Sequence, residues 1–146
     1  MRIARAGILA LLAGGCAASP PAPDEEALVA YEQAGRLYAE GRWAEAAALY
    51  ESVLAVRDRI RDAYHRLARC RRELGDEAAA AEVLERALRV DRTDEEALRG
   101  LAQIRERRGE LAEALAAWRA LAALRPGDPA PAREVARLEA LKGREP

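Results

Sequence analysis

The sequence predicts an all-α solenoid of about three helix pairs followed by a C-terminal capping helix. Glycines recur every 34 residues, at Gly41, Gly75, Gly109 and Gly143. Alanines stand seven residues before all four glycines and five residues after the first three. Alanine, leucine, arginine and glutamate, which are strong helix formers, fill most of the chain between them. A repeat of this length and content indicates an array of helix–turn–helix units, whose apolar faces are buried only when neighbouring units stack.

The elements follow from this spacing in chain order. Each glycine lies between two helical segments, where a left-handed residue can end one helix and open a tight turn. The helices are predicted at about 24–40, 43–57, 60–74, 77–90, 94–108, 111–124 and 130–142. Thr93 and Glu96 form a capping-box pattern at the start of the fifth helix. The segment 126–129, Pro-Gly-Asp-Pro, is a turn signal that separates the last helix from the third pair.

At these residues the chain resembles the tetratricopeptide repeat (TPR) family. The second repeat carries the pattern as Tyr64, Leu67-Ala68, Gly75, Ala80, Leu84 and Ala87. The third carries it as Leu98, Leu101-Ala102, Gly109, Ala114, Trp118 and Pro126. The chain departs from the pattern at Gln33, Arg71 and Arg105, where the family often has large apolar residues. The resemblance implies TPR 1 over 25–58, TPR 2 over 59–92, TPR 3 over 93–126, and a capping helix with tail over 127–146.

The N-terminal segment has the features of a secretory signal peptide. Two arginines, Arg2 and Arg5, precede the short apolar run Ile8–Ala13. Small residues then stand directly before Cys16, as in bacterial lipoprotein signals. That resemblance implies that 1–15 are removed, that Cys16 is lipidated, and that 16–24 form a proline-rich tether. An ordinary signal peptide that happens to contain a cysteine is the alternative.

The lipoprotein resemblance also gives an expected location. An aspartate after the lipidated cysteine often signals retention at the inner membrane in that family, and this chain has Ala17. We therefore expect a lipid-anchored protein of the bacterial cell envelope, at the outer membrane and facing the periplasm. The second cysteine, Cys70, occupies the position of Ile104 and Leu138 in later repeats, which predicts a small buried apolar residue.

Composition argues against several function classes. The formal net charge is −1, whereas a nucleic-acid-binding domain is usually net basic. The chain has one histidine, no nucleophile motif around a serine, and no glycine-rich phosphate loop. We therefore expect a protein that is not an enzyme and that has no cofactor or metal.

The TPR resemblance implies that the first helices of the pairs line a concave groove. The groove positions of the family correspond to Tyr31, Tyr38, His65, Arg69, Arg72, Arg99, Gln103, Arg133 and Arg137. Most charged members are basic, which favours a protein or peptide partner that carries acidic or carboxylate groups. We expect Arg99, Arg133 and Arg137 to lie on one concave face. The alternative is that these arginines are solvated and paired locally, as the spacing of Arg69 and Glu73 allows.

Two functions fit these patterns. The first is a membrane-anchored adaptor that holds a protein partner in the bacterial envelope, with an acidic or C-terminal peptide segment in its groove. The second is a structural or glycan-associated envelope lipoprotein without a specific peptide ligand.

Overall fold

The computed structural model describes residues 23–143, which form seven α-helices and no strand. The helices are α1 (Pro23–Ala39), α2 (Trp43–Val56), α3 (Arg61–Glu73), α4 (Glu77–Val90), α5 (Glu95–Arg107), α6 (Leu111–Leu124) and α7 (Pro129–Lys142). The prediction of an all-α solenoid with three pairs and a capping helix is confirmed. The predicted signal peptide, Cys16 and most of the tether lie outside the described residues. Within 23–143, none of the helices is long and apolar enough to cross a membrane.

Each helix packs mainly on the helices next to it in sequence, so that the pairs stack in one direction. Small residues allow the two helices of a pair to approach closely: Ala34 and Ala46 are completely buried in the first pair. Larger side chains such as Tyr50 and Leu67 fill the space between successive pairs and are also completely buried. The core is therefore a continuous strip along the stack, as expected for a repeat protein.

Three of the four periodic glycines have left-handed backbone, with φ of 75° at Gly41, 80° at Gly75 and 75° at Gly109. No heavy atom would lie within 4 Å of a Cβ added at Gly75 or Gly109, so backbone conformation rather than crowding requires glycine there. Gly143 differs, because its φ is −73° at the end of α7. The prediction of a left-handed turn is therefore wrong at Gly143. No described helix follows this residue.

The predicted capping box at the start of α5 is wrong. Asp94 is the N-cap, and its Oδ1 accepts a hydrogen bond from the backbone N–H of Ala97 at 3.1 Å. Thr93 instead donates through Oγ1 to Asp91 at 2.7 Å, and Glu96 bonds to a side chain of α3. Asp76 caps α4 and Asp128 caps α7 in the same manner as Asp94.

The outer face of α1 is polar where the same face of later first helices is buried. Gln33 and Arg36 are exposed, whereas their equivalents Leu67 and Cys70 are completely buried under the preceding pair. The departure of Gln33 from the family pattern therefore has a structural reason, since no described helix covers this face. The buried position of Cys70 confirms its predicted role as a small apolar residue, and burial raises the pKa of its thiol to about 11.

Candidate functional site

The first helices α1, α3 and α5 line a concave groove of about 1290 Å³. Residues on their inner faces form its walls, and Leu84 of α4 reaches its floor. Leu84 can do so because α5 carries Gly100 at that point: an added Cβ would lie 3.0 Å from Leu84 Cδ1. The groove is therefore shaped by close packing of α5 on α4 as well as by the curvature of the stack.

The structure places six of the nine predicted groove residues on the lining: Tyr38, His65, Arg69, Arg72, Arg99 and Gln103. Tyr31, Arg133 and Arg137 are not part of it. Eight further charged residues line the groove, and three of them are arginines that the sequence patterns did not single out: Arg61, Arg66 and Arg125. Arg66 follows His65 directly and faces the gap left by Gly35, which is the one signal that could have pointed to it.

All five carboxylates that line the groove are already paired within the protein. The pairs are Asp62 with Arg66 at 2.6 Å, Glu73 with Arg69 at 3.8 Å, Glu95 with Arg125 at 2.7 Å, and both Asp94 and Glu96 with His65 at 2.7 Å. A bound molecule therefore meets carboxylates that already have arginine or histidine partners within the protein.

The arginines of the groove are paired less completely. Among residues 23–143, no carboxylate lies within ion-pair distance of Arg61, Arg72 or Arg99, and all three are exposed. The exposed amide of Gln103 lies on the same helix as Arg99, one turn further on. Guanidinium groups with free donors bind carboxylates through two parallel hydrogen bonds. The groove thus has unsatisfied positive charge and unsatisfied donors.

His65 connects two repeats at the centre of the groove. Its Nε2 lies 2.7 Å from Asp94 Oδ2, and its Nδ1 lies 2.7 Å from Glu96 Oε2. Asp94 is the only charged residue in the described part of the chain that is buried, at 3% exposure. Because both ring nitrogens of His65 are used, this side chain positions α5 against α3 and offers a ligand little further bonding.

The two predicted tyrosines are held by contacts within the protein. The Tyr38 ring packs edge-on against Trp43 at 5.2 Å, and the guanidinium groups of Arg66 and Arg69 lie 5.4 and 5.9 Å from its centroid. Tyr31 donates a hydrogen bond to Asp62. Burial, followed by that hydrogen bond and the charge of Asp62, raises the pKa of Tyr31 to about 12.

The last helix contributes less to the groove than the sequence predicts. Arg137 bonds to Glu106 of α5 and, at 2.7 Å, to Glu134. These two hydrogen bonds, the one to Glu106 first, raise the pKa of Arg137 above its usual range. Arg133 is exposed but lies outside the groove lining. The unpaired arginines that line the groove therefore belong to α3 and α5, whereas Arg133 of α7 lies outside it.

The described residues hold no cluster of three or more histidine, cysteine or carboxylate side chains that could bind a metal ion. The polar groups of the groove are instead arranged as ion pairs across and along helices. This arrangement suits the recognition of another chain by charge and hydrogen bonding.

A family model described as tetratricopeptide repeat matches residues 37–104. No curated protein matches the chain. Among solved structures, the first TPR of Spaghetti (RPAP3), bound to the HSP90 peptide SRMEEVD, has a TM-score of 0.68 at 18% identity, over 82% of this chain and 95% of that chain. The second TPR domain of human RPAP3, in complex with the HSP70 peptide SGPTIEEVD, has a TM-score of 0.68 at 18% identity, over 81% of this chain and 98% of that chain.

A bacterial structure is also similar in fold to this chain, with a slightly lower TM-score. The Yersinia enterocolitica type III secretion chaperone SycD, in complex with a peptide of the translocator YopD, has a TM-score of 0.63 at 18% identity, over 77% of this chain and 86% of that chain. Each of these three neighbours was solved in complex with a peptide. At such identities the likeness establishes the fold, which is shared along most of the chain.

Proposed function

We propose that this chain is a tetratricopeptide repeat protein that acts as a protein-interaction adaptor, as its fold and the family match over 37–104 support. Its groove binds peptide segments that carry acidic side chains or a free C-terminal carboxylate. A lipid on Cys16 anchors it in the bacterial envelope, at the outer membrane and facing the periplasm. The tether of residues 16–24 holds the repeats off the membrane surface.

The observation that most directly supports peptide binding in the groove is the difference between its acidic and its basic residues in how many have ion-pair partners. Its acids have basic partners, whereas Arg61, Arg72 and Arg99 have no carboxylate partner in the described part of the chain. A ligand carboxylate placed there would gain charge-assisted hydrogen bonds without breaking a pair. Each such bond contributes about 1.5–3 kcal/mol. The solved neighbours bound to peptides ending in EEVD offer a precedent on the same fold.

The groove is tested by titration with acidic peptides. Heptapeptides that carry two or more acidic residues, with free or amidated C termini, are labelled and measured by fluorescence anisotropy. Because two charged contacts are lost together, Arg72→Ala with Arg99→Ala should weaken binding about tenfold or more, where each factor of ten is about 1.4 kcal/mol. Raising the salt concentration should weaken binding of the wild-type protein through screening.

Arg133→Ala with Arg89→Ala is the matched control, because both residues are exposed arginines outside the groove lining. It removes the same positive charge from the protein. Any loss of affinity should therefore be no larger than the change in net charge alone produces. Equal losses in the two double variants would place binding elsewhere on the surface. A wild-type protein that binds none of the peptides would overturn the acidic-peptide proposal, and co-sedimentation with cell-wall material would then support the glycan-associated alternative.

The anchor is tested separately. Cys16→Ser removes the acceptor for the lipid, so the variant should leave the membrane fraction and appear in the soluble envelope fraction. Cys70→Ser is the control, because Cys70 is buried within the repeats and should not affect fractionation. A Cys16→Ser protein that stays with membranes after a salt wash would contradict lipid anchoring while leaving the groove proposal intact.

A further inference from the structure

Equivalent positions on successive repeats form one charged contact at each interface between repeats. In each case a residue of a second helix pairs with a residue of the following first helix, and both sets of positions are spaced by 34. The three pairs are Glu51–Arg71 at 3.7 Å, Glu85–Arg105, and Arg119–Glu139 at 2.6 Å. We call them the interface pairs.

The third interface pair has the opposite polarity from the first two. In the first two pairs the second helix supplies the acid and the next first helix supplies the base. At the interface of α6 with α7, Arg119 is the base and Glu139 the acid. Packing α7 against α2 or α4 would therefore oppose two carboxylates, and packing α3 or α5 against α6 would oppose two guanidinium groups.

Stability alone does not explain charges at this position. The equivalent residue of the first repeat is the apolar Leu37, which is buried at 8% exposure although no described helix precedes α1. In the second and third repeats, where this position is an arginine, the Nε–H groups of Arg71 and Arg105 are buried and have no hydrogen-bond acceptor among the described residues. The side chains of the interface pairs are between 20% and 59% exposed, and ion pairs open to solvent contribute little to stability, whereas charge patterns can discriminate between partners.

We infer that the reversed interface pair restricts α7 to the flank of α6, and so separates the C-terminal interface of the stack from the two internal ones. Without this restriction, the three first helices that have an apolar outer face, α3, α5 and α7, could each pack on any of three second helices. They could do so within one chain or between two copies. Repeat proteins misassemble in these ways. The charge reversal excludes the capping helix from internal interfaces, and it excludes internal first helices from the end.

The test is to make the polarity of all three pairs the same. Arg119→Glu with Glu139→Arg keeps an ion pair between α6 and α7, so the melting temperature should stay close to that of the wild type. After denaturation and rapid dilution at increasing protein concentration, however, this variant should give less monomer and more dimer or higher oligomer, measured by size-exclusion chromatography with light scattering. Arg69→Glu with Glu73→Arg is the matched control, because it reverses a pair of similar exposure, at 3.8 Å, within one helix.

The single variant Arg119→Glu shows whether the pair acts in the native state, since it opposes two carboxylates and should lower the melting temperature. If the double reversal does not fold, Arg119→Gln with Glu139→Gln removes the polarity without repulsion and should also lose monomer yield. Monomer yields equal to the control across the concentration series, for whichever double variant folds, would overturn the inference.

Discussion

At the scale of the residue, the Tyr31–Asp62 hydrogen bond links α1 to α3 through an ionisable group. The folded pKa of about 12 lies above the value of about 10 for an unfolded tyrosine. Because the fold favours the neutral phenol, its contribution to stability is present below about pH 10 and is lost as the pH rises towards about 12.

Tyr31→Phe tests this pH dependence. The wild-type protein should lose stability more steeply than the variant above about pH 10, because only the wild type gains from the neutral phenol. Chemical denaturation at several pH values measures the difference, and ultraviolet absorbance reports when tyrosinate forms. Parallel stability curves for the two proteins through this range would contradict the assigned role of the hydrogen bond.

Asp94 combines two roles that are separate elsewhere in the chain. It caps α5 through Ala97 N–H and pairs with His65 of α3, whereas the exposed Asp76 caps α4 and has no side-chain partner among the described residues. Asp76→Ala should therefore cost about 1 kcal/mol, the usual effect of losing an N-cap. Asp94→Ala should cost more, because it also removes one of the two carboxylate partners of the nearly buried His65. Equal losses by thermal or chemical denaturation would mean that the His65 contact adds nothing.

At the scale of the element, the helix pairs depend on alanines that leave no room for larger side chains. Ala80 of α4 is completely buried against α3, whereas Ala78 on the same helix is exposed. Ala80→Leu should destabilise the protein by about 1–3 kcal/mol through overpacking. Ala78→Leu has the same change in volume and helix propensity and should have little effect. A melting temperature for Ala80→Leu equal to that of the control would contradict the close packing of α3 and α4.

The ends of the helices could be predicted from the sequence to within one residue. The periodic glycines mark the turns inside the pairs, and three of them have the left-handed backbone that the pattern requires. The capping residue of α5 could not be predicted, because Thr93 and Asp94 are both good N-caps. The hydrogen bonds of Thr93 to Asp91 decide between them, and they depend on the folded loop.

At the scale of the whole molecule, the sequence was sufficient to predict where the groove lies. It was not sufficient to predict which of its charged residues are unpaired. Its lining follows from the 34-residue spacing, since equivalent residues of stacked helices share a face. Which arginines are free depends on acids far away in sequence. Arg137 is held by Glu106, 31 residues earlier, and Arg125 by Glu95, 30 residues earlier. Helical spacing within one element carries no information about such contacts.

The packing of each helix on its neighbours in sequence also affects how the chain can be made. A chain emerges with its N-terminal end first, both from the ribosome and from the membrane channel through which the proposed export would take place, and α1 needs only α2 and α3 to bury its inner face. No early segment has to wait for a distant strand or helix. The chain can therefore fold in the same direction in which it emerges, because each new helix pair packs on the pair that has already folded before it. The last described helix, α7, packs on α6 without rearranging what precedes it.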